Sequence, residues 1–264
     1  MRNKLTKELA VCGFNTVSAL GEVHPETINR LFLREDRFPV FTKVCKNLAQ
    51  RKRPYKVCDN EELERICKTT HHQGVVAMIE APEIPPITRE DLDYWAREGK
   101  TGLVLPSLGN DHNLGALVRS AAFFDAHFIV LSGAPDEASL STSAYRVAEG
   151  GMEHLVFRNV QDIPGFLKAA SQVLITIGAE LRARQRLQDL DAIIQDRTLR
   201  LRSSRTNPGL RPGIVLVMGN EETGLPPEVR DHCSALVRIS GTGAIESLNV
   251  AQAATLFLHA LYTG

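Results

Sequence analysis

The 264-residue chain balances 31 Lys and Arg against 31 Asp and Glu, with 43% hydrophobic and 23% charged residues. That balance excludes a wholly disordered or fibrous chain and suits one large folded domain or two smaller ones. No apolar run approaches the roughly 20 residues of a membrane helix, and the polar start MRNKLTKE lacks the apolar core of a secretory signal, so the chain reads as cytoplasmic.

Residues 1–80 read as a small α/β domain. Phe32 lies in the apolar patch LFL, a helical stretch follows over Thr42–Gln50, and VVAMIE is a closing strand. The zero net charge hides a local excess. Between Arg30 and Lys56, nine basic residues (Arg30, Arg34, Arg37, Lys43, Lys46, Arg51, Lys52, Arg53 and Lys56) stand against only Glu35 and Asp36. Phosphate binding needs local positive charge, which a whole-chain sum does not report. Taken alone, such a cluster is ordinarily a solvated helix face. The five cysteines form no C-x-x-C pair, so free thiols are expected. His71 and His72 near Cys67 lack the paired spacing of a zinc site, and no metal is expected.

Residues 81–100, APEIPPITREDLDYWAREGK, contain Pro82, Pro85 and Pro86, which interrupt regular structure, and read as a linker. Residues 101–264 form the second expected domain. The runs GLVLPSL (102–108), HFIVLS (127–132), HLVFRNV (154–160), VLITIGA (173–179), GIVLVMG (213–219) and ALVRIS (235–240) read as strands. LGALVRSAAFF (114–124) reads as a helix. Continuously apolar strands separated by helices predict a mostly parallel sheet covered on both faces, with ligands at the carboxyl ends of its strands. A second basic stretch, Arg182 to Arg211, holds eight arginines against Asp189, Asp191 and Asp196.

Three polar loops follow strands and precede helices: NDHNLGALVR (110–119), VMGNEETGLP (217–226) and GTGAIESLNV (241–250). None is a standard phosphate cradle. GNEETG lacks the Lys-Ser/Thr of a P-loop, and GTGAIE has Glu246 where a dinucleotide fingerprint needs a third glycine. No G-x-S-x-G elbow is present, which disfavours a hydrolase. Arg119 belongs to the first two turns of its helix, where it can clamp a phosphate or pair with an acid such as Asp125. Glu221 is either exposed loop charge or an anchor. Ser247 and Asn249 are typical helix caps that can also line a polar pocket.

These loops carry a resemblance. N-x-G-A-x-x-R at Asn113–Arg119, G-N-E-x-x-G-L at Gly219–Leu225 and G-x-x-x-S-L-N-V at Gly243–Val250 resemble, in order, the three motifs of the SpoU-type RNA 2′-O-ribose methyltransferases of the SPOUT superfamily. The N-terminal half, best at HHQGVVA (71–77), resembles the small RNA-binding α/β domain that often precedes that catalytic domain. The resemblance implies a parallel-sheet domain with a C-terminal deep trefoil knot, an exception to ordinary chain connection. It also implies S-adenosylmethionine held by backbone groups, with Gly219, Ile239 and Leu248 at the cofactor. Arg119, Asn113, Glu221, Ser247 and Asn249 become the catalytic set, tRNA or rRNA the substrate, and a homodimer the assembly. Arg119 matches the arginine proposed in relatives as a base; with a pKa above about 12 it is a poor one, and holding the target phosphate is the alternative role.

The sequence departs from the family pattern at Ile239-Ser240-Gly241, where Ile-Pro-Met is usual, at Ala251 in place of serine, and at Asp111-His112 in place of Asp-Pro. Two other readings stay open: a catalytically silent RNA-binding protein of the same fold, and a small-molecule α/β enzyme using another nucleotide.

Overall fold

Short apolar runs, too brief for helices and rich in Val, Ile and Leu, become strands wherever neighbours can bury both of their faces. The computed structural model describes residues 8–133, 138–202, 212–220 and 223–263. In chain order the first elements are β1 (Glu8–Cys12), α1 (Phe14–Val23), β2 (Ile28–Leu33), α2 (Phe38–Gln50), β3 (Tyr55–Val57), α3 (Asn60–Cys67), β4 (Val75–Glu80), α4 (Arg89–Arg97), β5 (Thr101–Leu105) and α5 (Asp111–Phe123). There follow β6 (Phe128–Leu131), α6 (Thr142–Ala148), β7 (Val156–Asn159), α7 (Ile163–Ala170), β8 (Ile175–Ala179), β9 (Gln185–Arg186), α8 (Leu190–Arg202), β10 (Ile214–Val217), α9 (Pro227–Arg230), β11 (Ala235–Arg238) and α10 (Val250–Thr263). No helix among the described residues is long and apolar enough to cross a membrane.

The chain divides into two compact units. The first takes in the described residues up to Glu83 together with Leu114–Arg119 and Ser139–His154. Its sheet runs β1-β4-β2-β3, with β4 antiparallel to β1 and β2 and with β3 parallel to β2. Helix α6 packs on β1, the Thr16 hydroxyl donates to the Tyr145 carbonyl at 3.3 Å, and the Asn15 amide donates to the Glu149 carboxylate at 2.7 Å. Ala10, Cys12, Leu63, Cys67, Val76 and Met78 form an apolar cluster in this unit.

The second unit comprises Ile84–Asn113, the described part of Ser120–Ala138, and the chain from Leu155 onward. Its seven strands, in the order β7-β6-β5-β10-β8-β11-β9, are parallel throughout. The fold expected of residues 101–264, a parallel α/β sheet, is the one found, and every strand read there has its counterpart. β10 is buried along its whole length, as are β6 and all but the ends of β5 and β8.

Within 81–100, read as a linker, Arg89–Arg97 form α4. Thr88 and Asp91 make a reciprocal capping box, and Leu92, Trp95 and Ala96, spaced i, i+3, i+4, are buried. Trp95 stacks on Phe128 with ring centroids 3.6 Å apart, and Gly102 leaves the room that the Phe128 ring fills. Arg158 of β7 grips Asp91 with two bonds of 2.9 Å. Burial pushes the Asp91 carboxyl up, but Arg158 and the two Thr88 donors outweigh it and hold the group below the usual range. Just before α4, Pro85–Ile87 lie along β7: Asn159 N donates to Pro85 O and Ile87 N to Asn159 O, both at 2.9 Å.

Candidate functional site

All strands of a parallel sheet end on one edge, so the loops that leave them gather there. β5 and β10 are neighbours, and Met218 N just beyond β10 donates to Val104 O at 3.0 Å, so the loops after Leu105 and Val217 start side by side. β11 ends at Arg238 on the same edge, with β8 between it and β10.

The first loop ends at Asn110, whose side chain caps α5 by accepting from His112 N at 2.7 Å. Asn113 stands in the helix's first turn. From the other end of the chain, Asn249 Nδ2 donates to Asn113 Oδ1 at 3.1 Å, while Asn249 Oδ1 accepts from Ala251 N at 2.9 Å. One amide thus caps α10 and ties the third motif to the first. The two helices are joined again one level deeper. Thr255 Oγ1 donates to Ala251 O at 2.7 Å, which leaves the Ser120 hydroxyl to donate to Thr255 Oγ1, also at 2.7 Å. This second tie escaped the sequence reading. Its signal is a small hydroxyl residue, Ser120 in α5 and Thr255 in α10, set inside the helix among apolar neighbours.

The second loop turns sharply. Asn220 and Gly224 exchange backbone hydrogen bonds of 3.1 and 2.9 Å, and Gly224 adopts φ +69°. A Cβ on Gly219 would lie 2.6 Å from both Gly224 O and Leu225 N, so only glycine fits there. Glu221 lies outside the described residues.

The third loop is unlike either. Ile239 is half-buried, and every residue from Ser240 to Asn249 is exposed. Two apolar side chains face water, Ile245 at 81% and Leu248 at 46% exposure. Between Ser240 and Leu248 the hydrogen bonding among the described residues comes to one contact, Ala244 N to Thr242 Oγ1 at 3.3 Å, so the loop's amides and carbonyls are otherwise unspent. Ser247 is exposed and has no hydrogen bond among the described residues.

Arg119 lies six residues beyond Asn113 on α5, about 9 Å along the axis. It is exposed and forms no hydrogen bond or ion pair among the described residues, with Asp125 or any other group. Of the eight residues the sequence places at the site, the structure joins Asn113 to Asn249 directly. It sets Gly219, Ile239, Ser247 and Leu248 on loops that leave the same sheet edge.

Among the described residues no group of three or more His, Cys, Asp or Glu could hold a metal ion. His72 is buried, its Nδ1 accepts from Gly74 N at 3.0 Å, and burial pushes its pKa down.

The sequence itself decides the family. Residues 100–259 match the SpoU rRNA Methylase family, and residues 10–85 match the RNA 2′-O ribose methyltransferase substrate binding family. The chain belongs to the SpoU rRNA methylase family. Among SpoU relatives, it is 30% identical over 262 residues to the 23S rRNA (guanosine-2′-O-)-methyltransferase RlmB of Ralstonia nicotianae, covering 96% of this chain and 95% of the relative. It is 29% identical over 262 residues to the uncharacterized tRNA/rRNA methyltransferase YfiF of Escherichia coli O157:H7, covering 98% and 69%. The AdoMet-bound rRNA methyltransferase from Sinorhizobium meliloti shares the fold, with a TM-score of 0.72 at 23% identity, covering 97% of this chain and 87% of that one.

Proposed function

We propose that this SpoU protein transfers a methyl group from S-adenosylmethionine to a ribose 2′-hydroxyl of RNA in the cytoplasm. Ribosomal RNA is the preferred substrate over tRNA, because the full-length likeness is to RlmB, named for 23S rRNA. The observation that carries the reading is the hydrogen bond from Asn249 to Asn113, which joins two motif loops 136 residues apart at the sheet edge where such folds take ligands.

The residues fit the cofactor. A ligand held by backbone groups needs a loop with free donors and acceptors, which 240–248 offers, and a position without a side chain, which Gly219 offers. In this reading Gly219, Ile239 and Leu248 hold S-adenosylmethionine, and the exposed Leu248 and Ile245 gain apolar cover when it binds. The bound sulfonium supplies an electrophilic methyl group.

The protein's part is alignment. Asn113 and Asn249 fix the loop against α5, and Ser247 and Glu221 orient the ribose and the third loop. Arg119 holds the target phosphate through its planar fork and polarises the attacking hydroxyl, whose proton leaves to solvent. A guanidinium with a pKa above about 12 is suited to that role and not to abstracting a proton.

The proposal includes three coarser features. The layout is an RNA-binding domain over 1–80 and a catalytic domain over 101–264, with the connecting segment 81–100 contributing α4 to the core of the second unit. The C-terminal segment forms a trefoil knot, supported by β11 taking a place between β8 and β9, both earlier in the chain. The assembly is a homodimer, supported by an aromatic face on α5 and α10. There Phe123 is 79% exposed, Phe124 packs on His259 and Tyr262, and α10 has no acidic or basic residue in its first or last turn.

The test is transfer of labelled methyl from S-adenosylmethionine to purified ribosomal RNA, with the modified ribose mapped by primer extension. Arg119→Ala is expected to cut transfer on the order of a hundredfold or more while leaving cofactor affinity by calorimetry unchanged. Cofactor binding without label in any RNA would favour the silent RNA-binding protein.

A further inference from the structure

From Arg37 to Val57 the chain holds seven basic residues and no acidic one. Three of the seven are committed. Arg51 donates to the carbonyls of Pro25 at 2.9 Å and Ile28 at 3.2 Å, and Lys56 pairs with Glu62 at 2.7 Å. Arg37 donates to Gln73 O at 3.1 Å and covers the Phe14 ring at 5.3 Å. The other four, Lys43 and Lys46 on α2 and Lys52 and Arg53 in the turn to β3, are exposed. Their side chains form no hydrogen bond or ion pair among the described residues.

Close to them in sequence is an aromatic ring. Tyr55 opens β3, the outer strand of the four-stranded sheet, and is 42% exposed. Its ring centroid is 6.2 Å from that of Phe38 on α2, so one side of the tyrosine is propped and the rest faces water. Val40 and Val57 are exposed nearby in sequence on the same two elements.

We propose that Tyr55 and the four cations form a docking surface for a single-stranded segment of the RNA substrate, one base stacking on the tyrosine and the backbone phosphates meeting Lys43, Lys46, Lys52 and Arg53. Four unpaired positive charges with no acid among them repel one another, and a polyanion relieves that repulsion. A propped aromatic among cations is the pattern that holds single strands, because every base has a face to stack and a duplex does not present it. Guarding the open sheet edge is the competing explanation. Lys56 on β3, paired with Glu62, serves that purpose, but it leaves Lys43 and Lys46 of α2 unexplained. The surface rests on the RNA-methylating function proposed above and adds where the RNA is gripped.

The experiment measures binding of full-length protein to a short labelled single-stranded RNA, and to its duplex, by fluorescence anisotropy over a range of salt. Tyr55→Ala is expected to weaken single-strand binding on the order of tenfold, with little change for duplex, and Tyr55→Phe to restore it. Replacing Lys43 and Lys46 by Gln is expected to flatten the salt dependence by about one to two in log–log slope. Every variant should bind S-adenosylmethionine like wild type. If wild type methylates RNA while Tyr55→Ala binds and methylates it equally well, the docking surface is wrong and the function stands. If wild type binds the cofactor but no RNA, both fall. Competition by polyglutamate as effective as by RNA would reassign the surface to an acidic protein.

Discussion

Glu153 sits in the short helical turn that follows α6, and its Oε1 is buried with no hydrogen-bond partner among the described residues. Burial pushes this carboxyl up from 4.5 to about 7, with His24 pulling down and Glu26 pushing up. Between those two pH values the folded chain keeps a proton that the unfolded chain has released. The group's favourable contribution is complete below about pH 4.5 and is lost as pH rises to about 7. At about 1.4 kcal/mol per pH unit the whole loss is about 3 kcal/mol, and partial contact with water reduces it to roughly 2 kcal/mol. Glu153→Gln removes the ionisation and keeps the shape. It should match wild type near pH 4 and exceed it by roughly 2 kcal/mol at pH 8. Urea unfolding followed by circular dichroism measures the difference, with hydrogen exchange of the β1 and β4 amides reporting on the N-terminal unit. A gap between variant and wild type that is the same at both pH values would refute the assignment of a neutral buried carboxyl.

Other expectations follow from the packing and the loops. Trp95→Ala removes the ring stacked on Phe128 and should cost about 3–5 kcal/mol by urea unfolding. Asn249→Ala loses the α10 cap and the tie to Asn113, and should lower stability by about 1–2 kcal/mol; methyl transfer should fall further than stability accounts for. Gly219→Ala puts a methyl against the Gly224 and Leu225 backbone, and calorimetry should show S-adenosylmethionine affinity reduced by about tenfold or more, with folding retained.

The parallel sheet was legible because its strands are buried on both faces and therefore read as unbroken apolar runs. β10, IVLV, is the clearest case. The N-terminal sheet was harder. β2, INRLFL, breaks alternation at Asn29 and Arg30, where its register with β4 shifts, and β3 is three exposed residues, YKV, held by pairing with β2 and not by its own pattern. α4 was not legible because Pro82, Pro85 and Pro86 break regular structure immediately before it, and the Thr88–Asp91 cap and the Leu92, Trp95, Ala96 spacing that define it span only about two and a half turns. The packing of α6 on β1 has no local signature, since it depends on residues more than a hundred positions apart. At the site, Asn249 was read as both cap and pocket residue; its side chain accepts from Ala251 N at the start of α10 and donates to Asn113, a partner 136 residues away that no local pattern announces.

The two borders of the seven-stranded sheet have a consequence for crowding inside a cell. On one side β9 is two residues long, and its Arg186 is engaged with Asp189 at 3.4 Å. On the other, the outward-facing groups of Asn159 are already taken by Pro85–Ile87, a ribbon that includes a proline with no amide hydrogen to offer. A stray strand arriving at either border finds almost no ladder to extend, so the sheet resists polymerising into fibrils even when the protein is abundant.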